Sequence, residues 1–253
     1  MSFVVVIPAR YSSVRLPGKA LLDIGGKPMI QRVWERASQS GADAVVVATD
    51  DPRIEKSALG FGAQVMMTSS THASGTDRLA EVVERMQLGE GRIVVNVQGD
   101  EPLIPPQVVD QVASNLAENE WSSVATLCEP IRDTEPLLDP AAVKVVFDKR
   151  GQACYFSRSC IPWPRNHQWS SGEMPPGCWY RHIGIYAYRA GFLTRFSRWQ
   201  EAPTEHIESL EQLRALHQGE RIHVAEASVP VPGGVDTEAD LQSVRDQIKE
   251  QDS

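Results

Sequence analysis

Apolar and polar positions follow a regular order along the first 130 residues, in which short apolar runs alternate with amphipathic stretches. The apolar runs are rich in β-branched residues, which is typical of buried strands. They are FVVVI (3–7), AVVVA (44–48), AQVMM (63–67), RIVVNVQ (92–98) and SSVATL (122–127). The stretches between them repeat apolar residues at helical spacing, which predicts helices over 27–41, 51–62, 75–86 and 106–119.

Strands that are apolar throughout and separated by helices indicate an α/β fold with a mostly parallel central sheet covered on both faces. Ligands of such sheets bind beyond the carboxyl ends of the strands. Three segments are expected at that edge: the loop after the first strand, TDD (49–51) and QGDEP (98–102). The pattern therefore predicts where a binding site should lie before it indicates what binds there.

The pattern changes after residue 130, where strands and helices stop alternating regularly. It predicts a hairpin over 143–158 turning at 148–151, a loop over 161–179 rich in Pro, Gly and Trp, a strand over 180–189, helices over 190–199 and 205–218, and a strand over 221–226. Thr237 and Asp240 have the spacing of a capping box for a last helix. We expect the second half to add β structure to the same sheet, so that residues 1–253 form one domain.

Composition and charge limit the class of protein. The 253 residues are 42% hydrophobic and 23% charged. The net charge of −8 argues against a broad nucleic-acid-binding surface, but a small anionic ligand needs only a local cluster of cations. The four cysteines form no C-x-x-C pair, as expected of a reduced cytosolic protein. Without a signal-peptide pattern or an apolar run near ~20 residues, we expect a cytoplasmic protein that has no membrane partner.

The first loop, within IPARYSSVRLPGK (7–19), concentrates positive charge at the predicted ligand edge of the sheet. Arg10, Arg15 and Lys19 stand among small residues whose backbone N–H groups can approach phosphate oxygens, which favours a polyphosphate ligand. The loop has neither the G-x-G-x-x-G of dinucleotide-binding folds nor the G-K-[ST] of a P-loop, so those two interpretations are weakened. Three solvated surface cations are the alternative.

Two carboxylates are candidates for holding a divalent cation. Asp100 follows the buried strand 92–98, and Asp236 follows two glycines and precedes the last helix. Mg²⁺ binds carboxylate oxygens together with phosphate oxygens, so the pair would form a site if the fold brings them together. Taken singly, each is equally well an aspartate that hydrogen-bonds its own turn.

The remaining candidates are weaker on their residues alone. In HASGTDR (72–78), Ser74, Gly75 and Thr76 could present amides and a hydroxyl to a base or ribose, or simply cap a helix. Arg78 falls in the first helical turn, where the macrodipole disfavours a cation, which indicates a specific anionic or polar partner. For five candidate residues of the second half, a structural role is the simpler interpretation: Arg158, His182, Tyr186, Glu211 and Gln212. No nucleophile elbow is visible, so nucleophilic catalysis is not indicated.

Together these motifs resemble the 3-deoxy-manno-octulosonate cytidylyltransferase family. The matching segments are IPARYSSVRLPGK, HASGTDRLAEV, VNVQGDEPLIP, AAVKVV, YFSR, IPWPR, RHIGIYAYR, EHIESLEQLR and GVDTEADL, which cover nearly the whole chain. The resemblance implies a Rossmann-like three-layer nucleotidyltransferase fold and transfer of CMP from CTP to 3-deoxy-manno-octulosonate (Kdo), with Mg²⁺, for lipopolysaccharide synthesis. The first loop has fewer glycines than in other sugar nucleotidyltransferases, which favours the branch that makes CMP-linked acidic sugars.

The resemblance also implies roles for individual residues. The catalytic residues would be Arg10, Lys19, Asp100 and Asp236. The CTP phosphates would be bound by Ala9, Arg10, Arg15 and Lys19, the nucleoside by Ser74, Arg78, Gln98 and Pro102, Mg²⁺ by Asp100 and Asp236, and the sugar acid by Arg158, His182, Tyr186, Glu211 and Gln212. Residues 1–130 would then be the CTP-binding half, and residues 131–253 the half that binds the sugar and the second subunit of a homodimer. The subunit contact would include the second-half strands and the Pro-rich loop.

Two other functions stay open at this point. One is a cytidylyltransferase for another sugar, such as a sialic acid or a polyol phosphate. The other is a non-catalytic nucleotide-binding module that kept the fold. The presence of both candidate carboxylates and of the loop cations favours an enzyme, because a purely structural role needs none of them.

Overall fold

A mixed β-sheet runs through the centre of the molecule and carries helices on both faces. The computed structural model describes residues 2–13, 15–72, 74–167 and 173–251. Its strands are β1 (Phe3–Ala9), β2 (Asp23–Ile24), β3 (Lys27–Pro28), β4 (Ala44–Thr49), β5 (Gln64–Met67), β6 (Ile93–Asn96), β7 (Val124–Ile131), β8 (Lys144–Phe147), β9 (Ala153–Ser157), β10 (Trp179–Arg189) and β11 (Ile222–Glu226). Its α-helices are α1 (Met29–Ala37), α2 (Pro52–Gly60), α3 (Gly75–Arg85), α4 (Pro106–Glu118), α5 (Thr134–Leu138), α6 (Ala190–Phe196), α7 (Pro203–Glu208), α8 (Gln212–His217) and α9 (Glu238–Gln251).

The strand order in the sheet is β11-β7-β10-β6-β1-β4-β5, and the hairpin of β8 and β9 joins it beside β10. Strand β1 is parallel to both β4 and β6, while β10 runs antiparallel between β6 and β7. The predicted mostly parallel sheet with a second-half β elaboration is confirmed. The carboxyl ends of β1, β4 and β6 therefore meet at one edge, because Ala9 is in register with Thr49 and Val6 with Asn96.

Alternate residues of β1 enter two separate cores. Phe3, Val5 and Ile7 pack with the apolar faces of α1 and α4, whereas Val4 and Val6 pack on the other side with residues of α3 and α6. Because both faces of the strand are covered, its sequence is apolar without alternation. The result is three layers, helix, sheet and helix, with the ends of the strands left open at the edge. No helix in the described residues is long and apolar enough to cross a membrane.

The ends of α2 and α9 agree with the local sequence signals. Asp51 caps α2 by accepting a hydrogen bond from the Arg53 amide at 2.9 Å, with Pro52 in the first turn. The capping box of α9 is confirmed, since Thr237 N donates to Asp240 Oδ2 at 2.8 Å and Asp240 N donates to Thr237 Oγ1 at 3.2 Å. These contacts are local, which explains why the sequence alone predicts them.

The continuous helix predicted over 205–218 is wrong. Helix α7 ends at Glu208, Ser209 adopts a left-handed conformation with φ of 52°, and α8 begins at Gln212. Leu210 and Leu213 are both buried and keep helical spacing across the break, so the apolar pattern alone does not reveal it. The short β2–β3 hairpin and α5 are additions that the pattern does not predict. The predicted loop 161–179 is irregular where it is described, with 168–172 outside the described residues and Trp179 already in β10.

An irregularity in β10 shapes the second half of the sheet. The register against β7 shifts between Ile183 and Tyr186. The buried hydroxyl of Thr126 in β7 lies 3.0 Å from the Ile183 carbonyl oxygen and 2.8 Å from that of Ile185. It also lies 3.0 Å from Nε2 of His182. One hydroxyl therefore satisfies the backbone at the bulge and fixes the neighbouring imidazole.

We expect Thr126→Val to destabilise the protein by about 1–3 kcal/mol, because it leaves buried polar groups at the bulge without their partner while keeping the side-chain shape. The matched control Thr126→Ser keeps the hydroxyl and loses one methyl group, worth roughly 0.8 kcal/mol. Urea unfolding of the three proteins measures both changes. A Val variant as stable as the wild type would show that the bulge does not depend on this hydroxyl.

Candidate active site

A cleft of about 260 Å³ opens at the carboxyl ends of β1 and β6. Its walls come from the loop after β1, the loop after β6 and the start of α3. The lining residues are Pro8, Ala9, Arg10, Ser12, Ser13, Lys19, Ala20, Gly75, Gln98, Gly99 and Asp100. The structure thus brings Ala9, Arg10, Lys19, Gln98 and Asp100 together at the edge where a ligand was predicted.

Two glycines give this cleft its shape. Gly18 has a φ of 69°, and its amide donates to the Tyr11 carbonyl at 3.0 Å, so the cationic loop closes on itself just before Lys19. At Gly99, a Cβ atom would lie 2.8 Å from the carbonyl oxygen of Pro8. Only glycine allows the ends of β1 and β6 to approach this closely. Backbone groups of both strands can therefore face the same ligand.

The candidate metal carboxylates are joined by one ammonium group. Lys19 Nζ lies 2.6 Å from Asp100 Oδ2 and 3.2 Å from Asp236 Oδ1. Arg15 NH2 lies 3.0 Å from the same Asp236 oxygen, in a more exposed ion pair. The Val235 amide donates to the Asp100 carbonyl at 2.8 Å, so the backbone also holds the segment before α9 against the β6 loop. Asp100 and Asp236 therefore form a pair, although they are far apart in the sequence.

Glu101 is a further acidic group at this site, and the sequence interpretation did not single it out. Burial, with a smaller contribution from the charge of Asp100, raises the pKa of the Glu101 carboxyl to about 8. Its Oε2 is buried and has no hydrogen-bond partner among the described residues. At neutral pH the Glu101 carboxyl is therefore mostly protonated. The signal in the sequence was a second carboxylate directly beside the first.

Of the residues predicted around the nucleoside, Gln98 lines the cleft, whereas Ser74, Arg78 and Pro102 do not. Gln98 lines the cleft, together with Gly75 from the start of α3. Ser74 caps α3 and accepts a hydrogen bond from the Asp77 amide at 3.1 Å. Pro102 does not reach the cleft, because it lines a separate groove beside Leu103.

Arg78 is fully buried rather than exposed to a ligand. Its NH2 group lies 3.2 Å from Asp50 Oδ2, and its NH1 group donates to the Thr68 hydroxyl. The anionic partner that its position in the first helical turn indicated is thus an internal carboxylate. Arg78 joins α3 to the ends of β4 and β5, and the structure does not bring it into the cleft.

A small cavity lies on the other side of the first turn of α3. Its volume is about 50 Å³, and it is lined by Thr76, Val124, Tyr186, Tyr188, Phe192, Phe196, Glu211, Gln212, Ala215 and Ile222. Three of the residues predicted to bind a sugar acid therefore meet here: Tyr186, Glu211 and Gln212. Because Gly75 lines the cleft and Thr76 lines the cavity, a single helical turn separates the two spaces.

Glu211 is held at the wall of this cavity by α3. Its Oε2 accepts a hydrogen bond from the Thr76 hydroxyl at 2.6 Å, while its Oε1 is buried without a hydrogen-bond partner in the described part of the chain. Burial raises the pKa of the Glu211 carboxyl above its ordinary value. A buried carboxyl with unused hydrogen-bonding capacity is suited to a ligand that carries hydroxyl groups.

His182 lies next to the cavity through its ring contacts. Its imidazole is 5.1 Å from the ring of Phe156 and 5.2 Å from that of Tyr186. Burial, with a smaller contribution from the charge of Arg181, lowers the pKa of His182 to about 3. The ring is therefore neutral at physiological pH. Because the one proton of the Thr126 hydroxyl is used on the bulge carbonyls, His182 donates from Nε2 to that oxygen.

Arg158, like His182, lines neither space in the structure. It follows β9, and its guanidinium donates to backbone carbonyls, with Nε 2.7 Å from Glu208 O and NH1 3.0 Å from Pro140 O. These acceptors are neutral, so the positive charge of Arg158 is not cancelled by a carboxylate in these bonds. The residue lies at the start of the Pro-rich segment.

The fold and the cleft define a class of protein, the nucleotidyltransferases, in which cationic loops at the carboxyl ends of parallel strands face a carboxylate. A cytidylyltransferase profile matches residues 4–222. The chain is 62% identical to 3-deoxy-manno-octulosonate cytidylyltransferase of Cellvibrio japonicus, over 97% of each chain, and 58% identical to that of Idiomarina loihiensis, over 97% of this chain and 98% of the relative. The chain therefore belongs to the 3-deoxy-manno-octulosonate cytidylyltransferase family.

A solved structure supports the same assignment. CMP:2-keto-3-deoxy-manno-octonic acid synthetase complexed with CTP superimposes with a TM-score of 0.90 at 46% sequence identity, covering 99% of this chain and all of the other. A nucleotidyl transferase of Methanothermobacter thermautotrophicus is 17% identical with a TM-score of 0.61, which shows the shared fold alone. The resemblance seen in the sequence motifs is thus confirmed over the whole chain.

The pKa of His182 predicts how stability depends on pH. An ordinary histidine has a pKa near 6.5, so between about pH 6.5 and 3 the unfolded chain takes up a proton that the folded protein does not bind. Stability therefore falls as the pH is lowered through this window. His182→Gln keeps a donor for Thr126 but does not titrate, so it should lose less stability between pH 7 and 4.5, by on the order of 2 kcal/mol. Equal losses in both proteins, measured by urea unfolding, would contradict the buried neutral imidazole.

Proposed function

We propose that this protein transfers CMP from CTP to the anomeric hydroxyl of Kdo, giving CMP-Kdo and pyrophosphate for lipopolysaccharide synthesis. The observation that carries the proposal is the convergence of Arg10, Lys19 and Asp100 on one cleft at the carboxyl ends of β1 and β6. The family relationship and the similarity to a synthetase complexed with CTP support the choice of nucleotide and sugar.

The cleft binds the nucleotide through its cationic loop and its backbone. Arg10 and Lys19 neutralise the triphosphate, and the close approach at Gly99 lets backbone groups lie against it. Gln98 and the amide of Gly75 at the start of α3 face the nucleoside. Arg15, whose side chain is 65% exposed, reaches the phosphates from the outer side of the loop.

The reaction is an in-line displacement. The anomeric oxygen forms a bond to the α-phosphorus of CTP and loses its proton, while the bond from that phosphorus to the bridging oxygen breaks and pyrophosphate leaves with the electron pair. Such a reaction needs alignment and neutralisation of charge more than covalent help from the protein. Arg10 and Lys19 supply charge where it grows on the leaving group.

Asp100 and Asp236 fit the ligand chemistry of Mg²⁺. Both are carboxylates, and both contact a single cation, the ammonium of Lys19, so the position between them already holds a positive charge. Among the described residues no group of three or more His, Cys, Asp or Glu could hold a metal, so phosphate, sugar or water oxygens would complete the coordination. When bound, Mg²⁺ neutralises phosphate charge and makes the attacking hydroxyl more acidic.

Lys19 and a metal ion cannot both occupy the position between Asp100 and Asp236. A triphosphate offers the ammonium of Lys19 other anionic oxygens, and those oxygens are also ligands for the metal. We therefore expect Lys19 to move from the carboxylates to the phosphates when the nucleotide and the metal bind. The same residue then serves the free protein as an internal counter-ion and the complex as a phosphate ligand.

The sugar acid binds beside α3, with Tyr186, Glu211 and Gln212 around it. The cavity of about 50 Å³ is too small for an eight-carbon sugar, so α8 has to move away from α3 for binding. The hydrogen bond from Thr76 to Glu211 joins these helices in the free protein. Its acceptor carboxylate then becomes available to sugar hydroxyls. His182 supports Tyr186 as a neutral ring partner.

A homodimer also belongs to the proposal. Leu138 at 50% and Trp163 at 62% are two of the three large apolar side chains of the second half that are exposed in the described residues, the third being Ile207 in α7, and Trp163 lies in the Pro-rich segment. A subunit contact through this part of the chain would cover Leu138 and Trp163. The two halves, 1–130 for CTP and 131–253 for the sugar and the contact, are proposed on the same grounds.

Pyrophosphate release is the direct test of the activity. CTP, Kdo and Mg²⁺ together should release pyrophosphate, whereas other nucleoside triphosphates, sialic acids and polyol phosphates should not do so at comparable rates. Asp100→Asn should reduce the rate by roughly 10²–10³ or more. It should change stability by only about 0–1 kcal/mol, because the Lys19 ion pair is partly exposed.

The matched control is Asp246→Asn, which removes an exposed carboxylate of α9. This variant should keep wild-type turnover. No release above background from the wild type would end the enzyme proposal, and a fully active Asp100→Asn would end its assignment as a metal ligand. Faster release with another acidic sugar would change the substrate but keep the chemistry.

A further inference from the structure

One residue, Glu208, holds Arg158 through both its backbone and its side chain. The Glu208 carbonyl accepts from Arg158 Nε at 2.7 Å, and Glu208 Oε2 accepts from the Arg158 amide at 2.9 Å. The other carboxylate oxygen, Oε1, accepts from the Ser157 hydroxyl at 2.6 Å. The end of β9 is therefore fixed to the end of α7 by three bonds to a single residue.

The position of Glu208 in the chain connects Arg158 to the sugar cavity. It is the last residue of α7, Ser209 reverses the chain with its φ of 52°, and Glu211 and Gln212 follow on the cavity wall. A shift of Glu208 would therefore displace both Arg158 and the cavity wall. This break in the helix is the feature that the apolar pattern did not predict.

A buried lysine supports Arg158 from the opposite side. Lys144 is fully buried, and its Nζ donates to the carbonyls of Asp139 at 2.8 Å and Ala142 at 2.6 Å. These bonds hold the turn that contains Pro140, whose carbonyl accepts from Arg158 NH1 at 3.0 Å. The guanidinium therefore donates to three backbone carbonyls, those of Glu208, Pro140 and Ser209, the last at 3.4 Å from NH2.

We infer that Glu208 is a positioning residue for recognition of the sugar acid: it holds Arg158 in place so that the guanidinium meets the carboxylate of the sugar. The inference rests on the proposed function. Its carboxylate binds a backbone amide and a hydroxyl, so it anchors the arginine without occupying the guanidinium. An arginine side chain that is already ordered loses less conformational entropy on binding than a free one.

Steady-state kinetics with both substrates varied test this role. Glu208→Ala should raise the KM for Kdo roughly tenfold, because the loss of one or two hydrogen bonds that position Arg158 weakens binding by about that factor. The KM for CTP should stay within about twofold of the wild-type value. Glu208→Gln should restore the wild-type KM, because its amide oxygen can accept from the Arg158 amide and its NH₂ group can donate to Ser157. Glu120→Ala, which removes an exposed carboxylate before β7, is the control.

A double-mutant cycle separates positioning from general damage. If Glu208 acts through Arg158, then Glu208→Ala adds little to the KM of an Arg158→Ala protein. The inference would be overturned if the two substitutions raised the KM for Kdo independently of each other. It would also be overturned if Glu208→Ala left the KM for Kdo unchanged, or raised the KM for CTP to the same extent. Thermal unfolding of each variant confirms that the compared proteins are folded.

A measurement without turnover distinguishes this inference from the proposed function. The backbone amide proton of Arg158, which donates to Glu208 Oε2, should exchange slowly in the ¹⁵N NMR spectrum of the wild type and rapidly in Glu208→Ala, which removes that acceptor, with Arg158→Lys identifying the signal. If no sugar acid yields pyrophosphate but this exchange changes as expected, the proposed function fails and the anchoring stands. If turnover is normal and the exchange is the same in both proteins, the positioning role is wrong.

Discussion

The ammonium of Lys19 between Asp100 and Asp236 is the interaction on which the arrangement of this site depends. It joins the loop after β1, the loop after β6 and the segment before α9, and the last of these lies 217 residues away in the sequence. Both carboxylates lie within hydrogen-bonding distance of the same ammonium, so they are close enough to repel each other if that cation is removed. The site is therefore assembled around a positive charge, and a metal ion that displaced Lys19 would provide an equivalent one.

In the proposed reaction, the first turn of α3 determines how the two substrates meet. Gly75 lines the nucleotide cleft, Thr76 lines the cavity, and Ser74 caps the helix between them. The buried Arg78 joins this turn to Asp50 at the end of β4, so the wall between the two spaces is tied to the sheet. Under the proposed function, an attacking hydroxyl in the cavity and a phosphorus in the cleft would meet across this one turn, and α8 on the far side would have to move.

Local signals were enough to predict most of the first half and the start of the last helix. The buried strands are continuous apolar runs, Pro52 and Asp51 begin α2, and Thr237 and Asp240 begin α9. The placement of Asp100 beside the cationic loop also follows from topology, because the carboxyl ends of β1 and β6 are neighbours.

What the sequence could not predict depends on contacts between distant segments. Arg78 looked available to a ligand because its partner, the half-buried Asp50, follows another element, β4. The break at Ser209 was not predicted because Leu210 and Leu213 continue the apolar spacing of a helix. The break leaves Glu208 at the end of α7, where it binds Arg158, and that contact joins segments 50 residues apart. The raised pKa of Glu101 depends on its burial by the folded chain, which the sequence does not show.

Metal binding to the free protein tests the central claim most directly. Mn²⁺ affinity, measured by electron paramagnetic resonance without nucleotide, should be roughly tenfold or more higher in Lys19→Gln than in the wild type, because the competing charge-assisted hydrogen bonds are gone. Lys27→Gln, which removes an ammonium paired with Glu35, is the control and should match the wild type. Equal or weaker Mn²⁺ binding by Lys19→Gln would contradict the account in which Lys19 occupies the position of the metal.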